Sequence, residues 1–107
     1  HQANDNGMTG LMAAAANNHA DMCRYLVEEG ASVQVRDDDG ETAIFYCCSS
    51  GAADAAEALW GLGAHVYARD VMGRSALEIA QERGHQTIVD MINRTEPMSQ
   101  TGYTFKA

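Results

Sequence analysis

Apolar and polar positions along the chain recur in blocks of 33 residues. Leu11, Ile44 and Leu77 stand at that interval, and each is followed three residues later by a small side chain, Ala14, Cys47 or Ala80. Such i, i+3 spacing predicts the buried stripe of a short helix, with small residues that let a neighbouring helix come close. A second apolar set, Cys23-Leu26-Val27, then Ala56-Leu59-Trp60, then Val89 and Ile92, predicts a second helix per block, over about 21–28, 53–59 and 87–93. Asn17-Asn18-His19, Ser50-Gly51 and Arg83-Gly84-His85 read as the reversals between them, and two of the three supply a residue that tolerates the positive φ of a tight turn.

Punctuation repeats at the same interval. Gly7, Gly40 and Gly73 each open a block. Thr9, Thr42 and Ser75 sit where a hydroxyl can cap the first helix, and Gly30 and Gly63 end the second helices of the first two blocks. From Gly30 to Gly40, and again from Gly63 to Gly73, an extended arm and turn are predicted to project. Val33 and Val35 alternate with polar neighbours in one arm, and Val66 stands between His65 and Tyr67 in the other. A fixed period of this size means stacked supersecondary units rather than one globular core.

These residues carry a family resemblance. Gly7-Met8-Thr9-Gly10-Leu11, Gly40-Glu41-Thr42-Ala43-Ile44 and Gly73-Arg74-Ser75-Ala76-Leu77, with Gly30-Ala31 and Gly63-Ala64, resemble the ankyrin repeat over residues 4–94. The resemblance implies an all-α solenoid of stacked helix pairs whose hairpin-like arms pair weakly if at all. Its repeats are placed at 4–36, 37–69 and 70–94, with 1–3 as an upstream or foreign remnant and 95–107 as a flexible tail. Thr95 to Ala107 carries Pro97 as a helix stop, and Tyr103 and Phe105 offer a second reading as a short docking strand.

The departures from the ankyrin pattern are specific. The proline of the first helical position is replaced by Gly10, Ala43 and Ala76, which forgoes a preorganised helix start. The histidine after the buried Leu is replaced by Met12, Phe45 and Glu78, so the loop-to-helix hydrogen bonds of that histidine are expected to be missing and the array less rigid. Many ankyrin arms carry an asparagine that is hydroxylated; Gln34 and Tyr67 stand there, so that modification is not expected. Repeat three puts polar Asn93 where Val27 and Trp60 stand, as a terminal capping repeat requires. Repeat one has no polar cap, so a further repeat or capping helix is expected ahead of His1.

Charge narrows the function classes. With 15 acidic against 7 basic side chains and a net charge of −8, a phosphate-binding surface is disfavoured and a partner with a basic patch favoured. The longest apolar runs, Leu11 to Ala16 and Ala43 to Cys48, are six residues each, far below the ~18 that read as a membrane span. Cys23, Cys47 and Cys48 are odd in number and two are adjacent, unlike a secreted disulfide framework. An intracellular setting, cytoplasmic or nuclear, is expected, with neither nucleic acid nor membrane as partner and a monomer as the isolated segment.

Candidate chemistry is sparse. Adjacent Cys47 and Cys48 point about 100° apart on a helix and have no C-x-x-C partner, so packing explains them better than metal or redox chemistry. His19 and His85 recur two periods apart, which favours a structural role. Gly61-Leu62-Gly63 ends a helix and follows no strand. Asp37-Asp38-Asp39-Gly40-Glu41 has contiguous acids, the wrong geometry for a calcium loop; it reads as a solvated turn that also serves as a negative fingertip. No catalytic set, cofactor site or metal site is read, and an enzyme is not expected.

The resemblance places partner binding on the concave side, formed by arm tips and first-helix faces. It assigns Arg36, Asp38, Asp39, Glu41, Phe45, Arg69, Val71, Met72 and Arg74 to that surface. Flanking positions are Asp5, Asn6 and Met8, then Ala16 and Asn17, Ser49 and Ser50, and Glu82 and Arg83. Phe45 is expected to add an aromatic anchor, and apolar Val71-Met72 at a projecting turn hints at an interface. The function expected is a non-catalytic scaffold or adaptor module for a partner protein. The alternative is a regulatory or targeting segment of a larger enzyme or signalling protein.

Overall fold

The computed structural model describes residues 9–94. These form three helical hairpins: α1 (Gly10–Ala16) with α2 (Ala20–Glu28), α3 (Ala43–Ser50) with α4 (Ala53–Gly61), and α5 (Ala76–Glu82) with α6 (Gln86–Arg94). The first helices α1, α3 and α5 stack in one layer and α2, α4 and α6 in a second. Between hairpins run two arms; among the described residues they contain no strand, and an isolated antiparallel bridge joins Arg69 to Ser75. The fold is the all-α repeat stack that the 33-residue period predicts. The second helices run one or two residues beyond the spans read from the pattern at the start of α2, the end of α4 and both ends of α6.

The core follows the apolar stripes in part: Leu26, Val27 and Leu77 are only half-buried, and the buried Ile79 and Ile88 lie outside the stripes read from sequence. Leu11, Ile44, Leu59, Ile79, Ile88 and Ile92 are buried, together with Cys23, Cys47 and Cys48, and burying an aliphatic side chain of this size stabilises by about 1.5–3 kcal/mol. The cysteines act as small core residues. Burial pushes the Cys48 thiol up to about 12 and raises Cys23 and Cys47 as well, which keeps them protonated and unreactive.

Helix starts are secured in different ways. The Thr9 hydroxyl accepts from the Met12 N–H at 3.2 Å, and the Thr9 N–H donates back to the Met12 sulfur at 3.4 Å. Ser75 and Glu78 form the reciprocal capping box, at 3.2 and 3.1 Å. Met12 and Glu78 therefore restore part of what the missing histidines were expected to remove. Thr42 departs from the capping expectation. Its buried hydroxyl has no hydrogen-bond partner among the described residues, because the Phe45 N–H donates instead to the Thr42 carbonyl at 3.0 Å. Helix α4 has Ala52 at its N-cap, and the missing acceptor comes from the preceding repeat, where Asn18 Oδ1 accepts from the Ala55 N–H at 3.0 Å.

The reversals are fitted to the stack. Gly51 has φ 80°, and a Cβ there would fall 2.8 Å from the His85 ring. That ring nitrogen lies 3.2 Å from the Ser49 carbonyl, so His85 ties the turn before α6 to the end of α3. The structural role read for the histidines holds for His85; His19 is exposed at the N-cap of α2 and makes no capping bond.

Candidate functional site

Each arm ends in a turn built around one buried aspartate. Asp37 is 8% exposed and Asp70 7%. Asp37 Oδ1 accepts from the N–H groups of Asp39 and Glu41, both at 2.9 Å; Asp70 Oδ1 accepts from those of Met72 and Arg74, at 2.9 and 3.0 Å. These bonds close the turn locally, as Asx side chains do. The second oxygens differ: that of Asp37 accepts from the Tyr46 hydroxyl, and that of Asp70 from Arg74 Nη2 at 3.3 Å. The first residue of the acidic run is therefore a structural hub, not a solvated charge.

The preceding arginines clamp the turns. Arg36 Nη1 donates to the carbonyls of Gly40 and Arg69, at 2.8 and 2.9 Å. Arg69 Nη1 donates to the Gly73 carbonyl at 2.7 Å and pairs with Glu78 at 3.2 Å. The two tips are also joined directly, by a 2.9 Å bond from the Val71 N–H to the Asp39 carbonyl. Gly40 permits that approach: its φ is 77°, and a Cβ on it would lie 3.1 Å from the Val71 nitrogen.

Beneath the tips sits a cluster of like charges. Arg74 Nη2 is shared between Asp70 at 3.3 Å and Glu41 at 3.7 Å. Burial, then the hydrogen bond and charge of Asp70 and the charge of Asp37, push the Glu41 carboxyl up to about 7, with Arg74 opposing. Burial also acts to raise Asp70, but the donors and the cation around it prevail and hold its carboxyl below the usual range. The Glu41–Asp70 pair therefore retains a proton at mildly acidic pH.

The residues assigned from sequence thus divide. Asp38 and Asp39 are exposed and take part in no ion pair among the described residues. Val71 and Met72 are 67% and 73% exposed. Arg36, Arg69 and Arg74 are held by carbonyls or carboxylates, and Glu41 is half-buried in the cluster. Phe45 requires a correction: it is 0% exposed and supplies no accessible anchor. Helix α3 lies between α1 and α5 and against α4, so Ala43, Ile44, Phe45, Cys47 and Cys48 are all buried. Only Tyr46, Ser49 and Ser50 remain on its open face, at the i, i+3, i+4 spacing of one side.

Tyr46 was missed as the aromatic of this surface; its partner Asp37, nine residues earlier, gives no periodic signal. Asn17, Glu82 and Arg83 are exposed, whereas Ala16 is half-buried. Asp5, Asn6, Met8 and the tail from Thr95, with Tyr103 and Phe105, lie outside the described residues. Among the described residues no group of three or more side chains is arranged to hold a metal, and no helix is long and apolar enough to cross a membrane.

Stacked helix pairs with aspartate-closed arm tips define a repeat protein of the solenoid class. The family model for ankyrin repeats (3 copies) matches residues 1–70, about two thirds of the chain, and the chain belongs to the ankyrin-repeat family. Helices α5 and α6 lie beyond the matched residues and repeat the same hairpin and stacking. A search of curated proteins found no match. Ankyrin repeats are generally protein–protein interaction modules and typically non-catalytic.

Proposed function

We propose that this array is a non-catalytic adaptor or scaffold module that takes a partner protein with a basic patch on its concave side. The observation that carries this reading is the distribution of charge at the tips. The three arginines there are spent on carbonyls and carboxylates, while Asp38 and Asp39 project and enter no ion pair among the described residues. An exposed acidic pair on an acidic molecule attracts a cationic surface and speeds encounter. Tyr46, Ser49 and Ser50 extend the same surface along α3, and an intracellular monomer with no nucleic-acid or membrane ligand fits the reading.

The test is affinity capture with identification of the captured protein, comparing wild type with D38K/D39K. Both positions are exposed, so the substitution is expected to change stability by about 0.5 kcal/mol or less while weakening capture and removing its salt sensitivity. Capture unaffected by the reversal, with unchanged melting, would move the interface off the tips. Glu41 is left out of the reversal, because a lysine there would meet Arg74 and disturb the fold itself.

A further inference from the structure

We infer that the tips of the two arms, at Asp38-Asp39 and Val71-Met72, together form a bipartite site for an extended peptide segment that carries a basic residue two or three positions from an apolar one. The inference rests on the protein-binding reading above and names the chemistry of the segment recognised.

The two turns are built alike, around Asp37 and Asp70, and Asp38-Asp39 in one occupies the places of Val71-Met72 in the other. Because the same turn forms with two aspartates, the fold does not require apolar residues at Val71 and Met72. Yet these are the most exposed of the large apolar side chains among the described residues, at 67% and 73%. An apolar pair at a projecting tip is costly in water and useful in an interface, and methionine adapts its shape to what it meets.

The two halves hold a fixed relation. The Val71 N–H bonds the Asp39 carbonyl at 2.9 Å, and the Arg36 guanidinium bridges the Gly40 and Arg69 carbonyls. The acidic and apolar pairs are therefore presented side by side with little ordering left to lose on binding. Asp39 and Val71 are bonded neighbours, and equivalent positions of the two turns stand one repeat apart, on the order of the 8–10 Å between adjacent packed helices. An extended peptide advances about 3.3 Å per residue. Side chains two or three residues apart therefore match the two tips, with the ammonium or guanidinium over Asp38 and Asp39 and the apolar group against Val71 and Met72.

The experiment pans a random linear-peptide phage library on the protein, then measures the enriched sequences as labelled synthetic peptides by fluorescence anisotropy. The expected pool carries Lys or Arg two or three positions from Leu, Met, Phe or a similar residue. D38N/D39N is expected to weaken the peptides about tenfold and flatten their salt dependence. V71S/M72S is expected to weaken them about tenfold with salt dependence retained, and both variants should melt like wild type. A pool without that pairing, no enriched peptide, equal binding of a polyarginine peptide, or indifference to V71S/M72S would each overturn the inference. Sensitivity to D38N/D39N alone, or capture of a folded partner without any peptide, would sink this inference and leave the protein-binding reading standing. Loss of neither with any tip substitution would sink both.

Discussion

Glu41 shows how far one residue's behaviour is set by neighbours distant in sequence. Its carboxyl faces Asp70 and Asp37 as well as Arg74, and its ionisation is displaced to about 7 from the ~4.3 of an unfolded chain. The folded state therefore holds a proton that the unfolded chain has released between those values. For an acid raised in this way, the contribution to stability is greatest below about pH 4.3 and is lost as pH rises through 7. Asp70 is depressed and works in the opposite sense, losing its contribution only as pH falls below the ordinary carboxylate range. Glu41→Gln is expected to remove the decline between about pH 5 and 7 and to melt above wild type at pH 8. Parallel declines in the two proteins would place the proton on another group.

At the scale of the element, the helix starts differ in ways that mutation can separate. Ser75→Ala deletes a capping hydroxyl that accepts at 3.2 Å and should cost about 1 kcal/mol. Thr42→Val deletes a buried hydroxyl with no partner among the described residues and keeps the side chain's shape, so it should be neutral or stabilising. Urea titration of both variants checks the contrast, and equal losses would show that the Thr42 hydroxyl is satisfied in solution. The Gly51–His85 contact gives a second comparison. Gly51→Ala pays about 1–2 kcal/mol for left-handed backbone and adds a clash with the imidazole. In a His85→Ala background only the backbone part should remain, so the two changes should be measurably non-additive. Additive losses would show that the ring moves aside freely.

At the scale of the whole molecule, burial is uneven along the stack. Helix α4 buries Ala55, Ala56, Ala58, Leu59 and Trp60, whereas Cys23 is the buried residue of α2. Leu26 and Ala31 are half-buried, although their counterparts one repeat later, Leu59 and Ala64, are buried. In a repeat stack each unit is stabilised by its neighbours, so α2 should open at lower free energy than α3 and α4. Hydrogen exchange is expected to show least protection in α2 and most in the middle hairpin. Uniform protection along the chain would mean that the stack opens as one cooperative unit.

What the sequence by itself determined is the repeat: its 33-residue period, the paired helices, the glycine stops and most of the buried positions between Leu11 and Ile92, though not Leu26, Val27 or Leu77. These features are legible because a helix and its turn depend on contacts a few residues apart, and stacking repeats the same contacts at a constant interval. The tertiary structure alone decided which of the tip residues are available. Phe45 is covered because α3 has neighbours on three sides, and Tyr46 takes the open face. Arg36 is tied to Arg69 of the next arm, Asn18 caps a helix of the next repeat, and Glu41 shares a cation with Asp70. The Arg36–Arg69, Asn18–Ala55 and Glu41–Arg74 contacts each cross from one repeat to the next. Their strength depends on distances and burial that exist only once the hairpins have stacked.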